Sequence, residues 1–234
     1  MRVRCPLTKR GLTFRLLDIS TDSFSDRALA TDGRRARGEA SRQAILDATI
    51  RVIAAGGLTS VTHRAVAAEA GVSTASTTYH FATLDDLLRE TLSSLSAMAV
   101  TRLATATELA QSGTITLADA ATTFLIEELG SNRDVFIANL ELQMASLRRP
   151  TWSAVMTDTN DAFVELIQHY VGDEHSARAI FSAAYGFAVL HVIEGSHPTD
   201  AACRRFLENL FAHYDVPKPN LSRSKRNGRT NNGH

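Results

Sequence analysis

From residue 41 to residue 214 apolar residues recur at three- and four-residue spacing, the period of a helix buried along one face. Beginning at Ser41, the positions Ile45, Thr49, Val52 and Ile53 repeat at that spacing and stop at Gly56-Gly57, so a first helix is expected there. Thr62 is placed to cap a short helix that turns Ala65, Val66 and Ala70 inward and ends at Gly71, and Ser73 opens another that reaches about His80. Thr83 with Asp85 and Asp86 sets a hydroxyl and two carboxylates against the free amides and positive dipole end of a following helix. That helix carries Leu84, Leu88, Leu92, Leu95, Ala99 and Leu103 on one stripe to about residue 110, where Ser112-Gly113 breaks it. Further helices are expected near 116–129, 132–148, 151–171, 174–194 and 200–214, separated by Gly130, Pro150, Gly172 and the segment from Gly195 to Pro198. Period-two runs of β-branched residues and internal repeats are both missing, so the fold class is all-α.

The two ends differ from the body. Residues 1–38 mix Arg, Ser, Thr and Asp with scattered apolar residues, and the tail 217–234 is rich in Asn, Ser, Arg and Lys; both read as disordered arms. The formal net charge of zero hides a segregation: residues 1–38 carry nine Lys/Arg against four Asp, residues 39–88 three against five, residues 89–216 eight against sixteen, and residues 217–234 five against none. Basic ends on an acidic body fit contact with nucleic acid, or simply solvated tails.

Composition narrows the class. At 234 residues and 44% hydrophobic content the chain is long and apolar enough to bury a core without staples. No window approaches 18 unbroken apolar residues, so no membrane span is expected, and the basic N-terminus lacks the apolar core of a secretory signal, which leaves the cytoplasm as the default. Cys5 and Cys203 lie too far apart in the chain to suggest a disulfide framework or a zinc site.

The most informative stretch is Val61-Thr-His-Arg-Ala-Val-Ala-Ala-Glu-Ala-Gly-Val-Ser73. It has helix-turn-helix spacing, with small Ala67 where two helices would cross, Gly71 at the turn and Val72 sealing the corner. Any helical hairpin with a Gly turn shares part of that pattern. The continuation Ser76-Thr-Thr-Tyr-His-Phe-Ala-Thr-Leu-Asp-Asp-Leu-Leu88 resembles the recognition helix and fourth-helix start of the TetR/AcrR family of bacterial repressors, and the resemblance covers residues 41–90. It implies a three-helix DNA-binding head over 39–88, joined by the fourth helix to a larger helical ligand-binding and dimerisation domain over 89–216. Residue by residue, it places Thr62 and Arg64 facing the duplex, Thr74, Ala75, Ser76 and Thr78 in the major groove, and Tyr79 and His80 against the backbone, with Ser73 also among the DNA-binding candidates. Two positions depart from the family pattern: Thr78 stands where an aromatic phosphate contact is usual, and Leu84 where a Lys commonly reaches a phosphate. Arg34, Arg35 and Arg37, just before the first expected helix, are candidates to supply the missing cations.

The larger domain is read by composition. Phe124, Phe136, Met144, Trp152, Met156, Phe163, Phe181, Tyr185 and Phe187 are spread over its helices as core or pocket lining, and with Asn139, Gln143, Tyr185 and His191 as polar anchors they would suit a mainly apolar small ligand in a helical cavity. Phe124, Met144, Trp152 and Phe163, with those four anchors, are the ligand-site candidates. Helix 174–194 is rich in Ala and Gly, which permits close helix approach, and with 200–214 it is the candidate dimer face. The histidines show no metal-ligand pairing, and no nucleophile elbow, P-loop or dinucleotide fingerprint occurs, so no catalytic set, metal or cofactor is expected. The leading reading is therefore a homodimeric regulator that binds a pseudo-palindromic double-stranded operator and is released by a small-molecule effector. The competing readings are an all-α binding protein or enzyme with a structural hairpin, and a helical scaffold.

Overall fold

In a computed structural model of the chain, residues 26–216 are described, their side chains from Arg35 onward. The helices, in order, are α1 (Asp26–Gly56), α2 (His63–Ala70), α3 (Thr74–His80), α4 (Leu84–Gln111), α5 (Leu117–Leu129), α6 (Arg133–Ser146), α7 (Ser153–Val171), α8 (Glu174–Ile193) and α9 (Asp200–His213). Short 3-10 turns cover Leu58–Ser60 and Pro150–Trp152, and no strand occurs among the described residues. The all-α expectation holds, and the expected helices from 62 onward lie within a few residues of the observed ones.

The first helix differs. It starts at Asp26 rather than Ser41, so residues 26–38, which the sequence reading gives to a disordered arm, are helical; residues 1–25 and 217–234 lie outside the described residues. Apolar periodicity is the wrong criterion here, because Ala-, Arg- and Glu-containing sequence sustains a helix without an apolar stripe, and Gly33 and Gly38 each cost only about 1 kcal/mol relative to Ala. The chain divides into two units, residues 1–39 and residues 40–234. The described part of the first is the opening stretch of α1; the head and the larger domain lie in the second.

Two kinds of local chemistry shape the head. Hydroxyl caps start its helices: Thr62 Oγ1 accepts the Ala65 amide at 3.0 Å, Ser73 Oγ the Ser76 amide at 3.1 Å and Thr83 Oγ1 the Asp86 amide at 3.0 Å. Gly71, left-handed at φ +66°, ends α2 and lets the Val72 amide reach back to the Ala67 carbonyl at 3.0 Å, which fixes the turn between α2 and α3. The core beneath comprises Ile45, Ile53, Val66, Phe81, Leu87 and Leu92, all nearly or fully buried. At roughly 1.5–3 kcal/mol per buried large side chain, this cluster is what holds the short helices α2 and α3 against α1 and the start of α4.

Two elements outside the expected head complete that core. Leu142 of α6 and Trp152 pack into it, both fully buried. The Trp152 indole Nε1 donates to Asp85 Oδ2 at 3.1 Å, and the Arg149 guanidinium lies 4.5 Å over its ring while pairing with Asp85 Oδ1 at 3.2 Å. Glu141, also on α6, accepts the Leu58 amide at 2.6 Å, in the turn just before α2. Gly57 precedes that turn at φ +73°, and a Cβ there would stand 3.4 Å from the Glu141 carboxylate.

The larger domain packs α5 to α9 around the far half of α4. A reciprocal capping box starts α5, with Thr116 and Asp119 bonding each other's amides, and Arg204 of α9 pairs with the same carboxylate. These bonds, the Thr116 amide and hydroxyl foremost, hold the Asp119 carboxyl below its ordinary range. By length and composition α8 is apolar enough to cross a membrane, with mean hydropathy 1.4 over its best window. It packs beside α5, α7 and α9, most of its residues are only half-buried, and Leu190 and Ile193 near its end are exposed.

Candidate DNA-binding face and ligand cavity

The described face of α2 and α3 sorts its candidates by what their side chains already do. Thr62 and Ser73 spend their hydroxyls on caps, Ser76 is half-buried with its hydroxyl 3.4 Å from that of Ser41, and Thr78 bonds the Thr74 and Ala75 carbonyls at 3.2 and 3.1 Å. Thr77, one residue earlier, is fully buried and turns its hydroxyl to the Thr74 carbonyl at 2.8 Å, so it belongs to the hairpin rather than to its outer face. Arg64, Thr74 and Ala75 are exposed on one side of the hairpin. Tyr79 is 85% exposed, which removes it from the corner; its ring meets that of half-buried His80 edge-on at 5.2 Å. Phe81 closes the corner instead. Arg35 and Arg37 are exposed on α1, and the side chain of Arg34 lies outside the described residues. Arg64, Thr74, Ala75 and Thr78 combine short side chains with one guanidinium, beside the exposed Tyr79 ring, which suits close approach to a groove.

The second site is a cavity of about 120 Å³ between α4, α5, α6, α7, α8 and α9. Five rings follow one another along its wall: Phe124 and Phe163 (centroids 6.5 Å apart), Phe181 stacked on Phe163 (5.1 Å, planes 15° apart), Tyr185 (5.9 Å from Phe181) and Phe136 (6.2 Å from Tyr185). The Tyr185 hydroxyl donates to Gln143 Oε1 at 2.6 Å, and burial pushes its pKa up to about 12, so it stays a donor at any physiological pH. Among the described residues Glu128 is the one acidic side chain on the wall; Arg102 Nε donates to its Oε1 at 2.9 Å. Burial raises the Glu128 carboxyl above its ordinary range despite Arg102, because desolvation of the charge outweighs the ion pair.

Of the eight ligand candidates, the structure brings Phe124, Asn139, Gln143, Phe163 and Tyr185 to this cavity. The other three go elsewhere. Trp152 is in the head core; Met144, one residue past Gln143 and so a third of a turn round α6, is exposed in a surface groove with Leu147 and Ile193. His191 bonds Ser196 through Nδ1 and packs on Phe187 at the end of α8. Sequence reasoning missed Ser96, Glu128 and Tyr170 on the wall, whereas Phe136 and Phe181, among the aromatic residues it singled out, are there. Ser96 carried a signal, being a polar residue on the otherwise apolar stripe of α4, one residue after Leu95 and three before Ala99. Among the described residues no group of three or more His, Cys, Asp or Glu is placed to hold a metal ion.

Comparison with known proteins decides what this pair of sites belongs to. Residues 45–91 match the family model described as bacterial regulatory proteins, tetR family, and residues 112–213 match a tetracyclin repressor-like C-terminal domain. The multidrug binding protein EbrR, in its complex with imidazole, is 32% identical over 76% of this chain and 96% of its own, with a TM-score of 0.61. A TetR-family member from Streptomyces coelicolor A3, SCO1917, is also 32% identical, over 76% of this chain and 98% of its own, with a TM-score of 0.65. No curated protein matches the chain. The chain belongs to the TetR family. The domains it shares are those of ligand-responsive, DNA-binding transcription regulators, regulatory rather than catalytic. The EbrR structures, solved with imidazole and with ethidium, show that this TetR-family relative takes small molecules.

Proposed function

We propose that the protein is a cytoplasmic repressor that binds a pseudo-palindromic operator as a homodimer and leaves it when a small, mainly apolar molecule fills the cavity. The observation that carries this reading is that the cavity and the head share helices. The head-side half of α4 packs in the head core and its far half lines the cavity; α6 turns Asn139 and Gln143 to the cavity and Glu141 to the turn before α2. A ligand that favours one arrangement of α4 and α6 therefore acts on the head, and it shifts operator binding by the difference in its affinity for the two arrangements.

The dimer follows from two arguments. One short helix such as α3 reads too few bases for useful specificity, and a two-fold pair doubles the site. The half-buried, small-residue α8, with Leu190 and Ile193 exposed at its end, offers an apolar face for a second copy. Arg64 is assigned to a guanine edge, and Thr74, Ala75, Ser76 and Thr78 to close groove contact. The recognition helix carries no Lys or Arg, so Arg34, Arg35 and Arg37 are assigned to phosphates, as basic residues on a helix rather than on an extended arm.

The test is selection from random double-stranded DNA followed by binding across salt concentrations. A pseudo-palindrome is expected, and replacing the three arginines by Ala should flatten the slope of log K against log salt by about 0.9 for each phosphate that is no longer neutralised. Recovery of single asymmetric half-sites would overturn the dimeric reading, and an unchanged slope would overturn the role of the arginines.

A further inference from the structure

We propose that the cavity is built for a neutral, flat aromatic molecule of one or two fused rings that donates a ring N–H or phenolic O–H to Asn139. This rests on the reading of the cavity as the effector site. Three observations lead to it, concerning shape, charge and the balance of hydrogen-bonding groups.

Shape comes from the ring wall. The stacked pair Phe163 and Phe181, with Phe124 and Tyr185 on either side, offers flat faces and edges of the kind that favour offset or edge-on contact with another aromatic ring. A volume of about 120 Å³ is close to that of apolar protein cavities of about 150 Å³ that admit benzene. The space therefore suits one or two rings.

Charge on the wall is already balanced. Glu128 is held by Arg102 through both Nε and a terminal guanidinium nitrogen. A cationic ligand would have to take the carboxylate from an existing partner, and would leave Arg102, itself only about a quarter exposed, without its anion. A neutral ligand disturbs nothing there.

The hydrogen-bond inventory supplies the polar feature. Tyr185 donates to Gln143, Tyr170 to the Thr107 carbonyl at 2.7 Å, Thr107 to the Ala104 carbonyl at 2.8 Å and Thr159 to the Val155 carbonyl at 2.6 Å, so these wall residues are satisfied within the protein. Two buried oxygens belonging to wall residues are not: Asn139 Oδ1 and the hydroxyl of Ser96, a residue only 4% exposed. A carbonyl oxygen only accepts, so its complement is a donor, and the Ser96 hydroxyl adapts to either role. A buried acceptor left unpaired is costly, so a ligand that fills the cavity without a donor forfeits what one with a donor gains.

Calorimetric titration of the full-length protein with indole and with benzofuran tests this, because the two share shape and size and differ in N–H against O; proflavin is the cationic probe. Indole should bind about tenfold more tightly than benzofuran, the equivalent of one net hydrogen bond. In Asn139→Leu the two should bind alike, with benzofuran at least as tight as in the unsubstituted protein, which also reports that the variant is folded. Ser96→Ala, a smaller change, should reduce the preference for indole in the same direction. Equal affinities in the unsubstituted protein, or a preference that survives both substitutions, would overturn the proposal. Binding of proflavin alone, lost in Glu128→Gln, would overturn it in favour of a cation site while leaving the effector reading intact. Failure of all three probes would remove both.

Discussion

The head and the larger domain solve opposite problems with the same helices. In the head most polar side chains next to the core are committed, His63 Nδ1 being an exception: Thr62, Ser73 and Thr83 cap helices, Thr77 and Thr49 bond carbonyls of their own turns, and Trp152 and Asp85 hold each other. In the larger domain the central helices leave a space, and two buried oxygens of the residues lining it are unpaired. A surface that must present a fixed pattern to DNA needs a rigid base, whereas a site that must respond to a visitor keeps unmet hydrogen bonds and empty volume for it. The difference shows that rigidity and responsiveness are distributed by where polar groups are satisfied, since both domains are apolar-cored helical packings.

Substitutions should expose this contrast. The largest effect is expected from Trp152→Ala, which empties the head core and strips Asp85 of its indole partner; chemical denaturation should show a loss of about 3–5 kcal/mol. A loss below about 1 kcal/mol would mean that the head is not the tightly packed region. Next is Arg64→Ala, for which operator affinity should fall by about 1–3 kcal/mol with relaxed preference at one base position and unchanged effector affinity. A fall spread evenly over operator variants would make Arg64 a phosphate contact instead.

Asp119 ranks third. Its carboxyl pKa is depressed in the folded state, so its contribution is present above the ordinary carboxylate value of 3.8 and is lost as pH falls through the depressed value. Asp119→Ala should cost about 1–2 kcal/mol at pH 7, and its stability should converge on that of the unsubstituted protein in acid. Parallel pH profiles would show that the capping box contributes nothing. Smallest is Ser96→Ala, expected to raise the stability of the ligand-free protein by about 0.5–1 kcal/mol through removal of an unpaired buried hydroxyl. A decrease would place Ser96 among the satisfied groups and erase its part of the contrast.

The same contrast explains what could be read from the sequence. The head was legible because its signals are local: a cap, a turn glycine and a corner aromatic each act within a few residues, so Thr62, Gly71, Ser73, Phe81 and Thr83 stand where their spacing puts them. The start of α1 was not, since no apolar stripe marks residues 26–40 as helix. The cavity is non-local. Phe163 and Tyr185 reach it, but Trp152 and Met144 have equal chemical credentials and are drawn to the head core and to the surface by helix directions that no short-range pattern encodes. Glu128 hides for the same reason, because the pair Glu127-Glu128 reads as a solvated face until a neighbouring helix buries one member and supplies Arg102.

Glu141 sets a rule for anyone who would re-engineer this regulator to answer a new compound. Along α6 the residues that line the cavity, Asn139 and Gln143, alternate with the carboxylate that grips the Leu58 amide, so the cavity side and the grip occupy opposite sides of one rod. On the proposed reading, substitutions that retune the cavity side should also change how firmly the operator is held before any compound arrives. Libraries randomised at 139 and 143 should therefore drift in basal expression, and selection that alternates rounds with and without inducer is needed to keep the two sides in step.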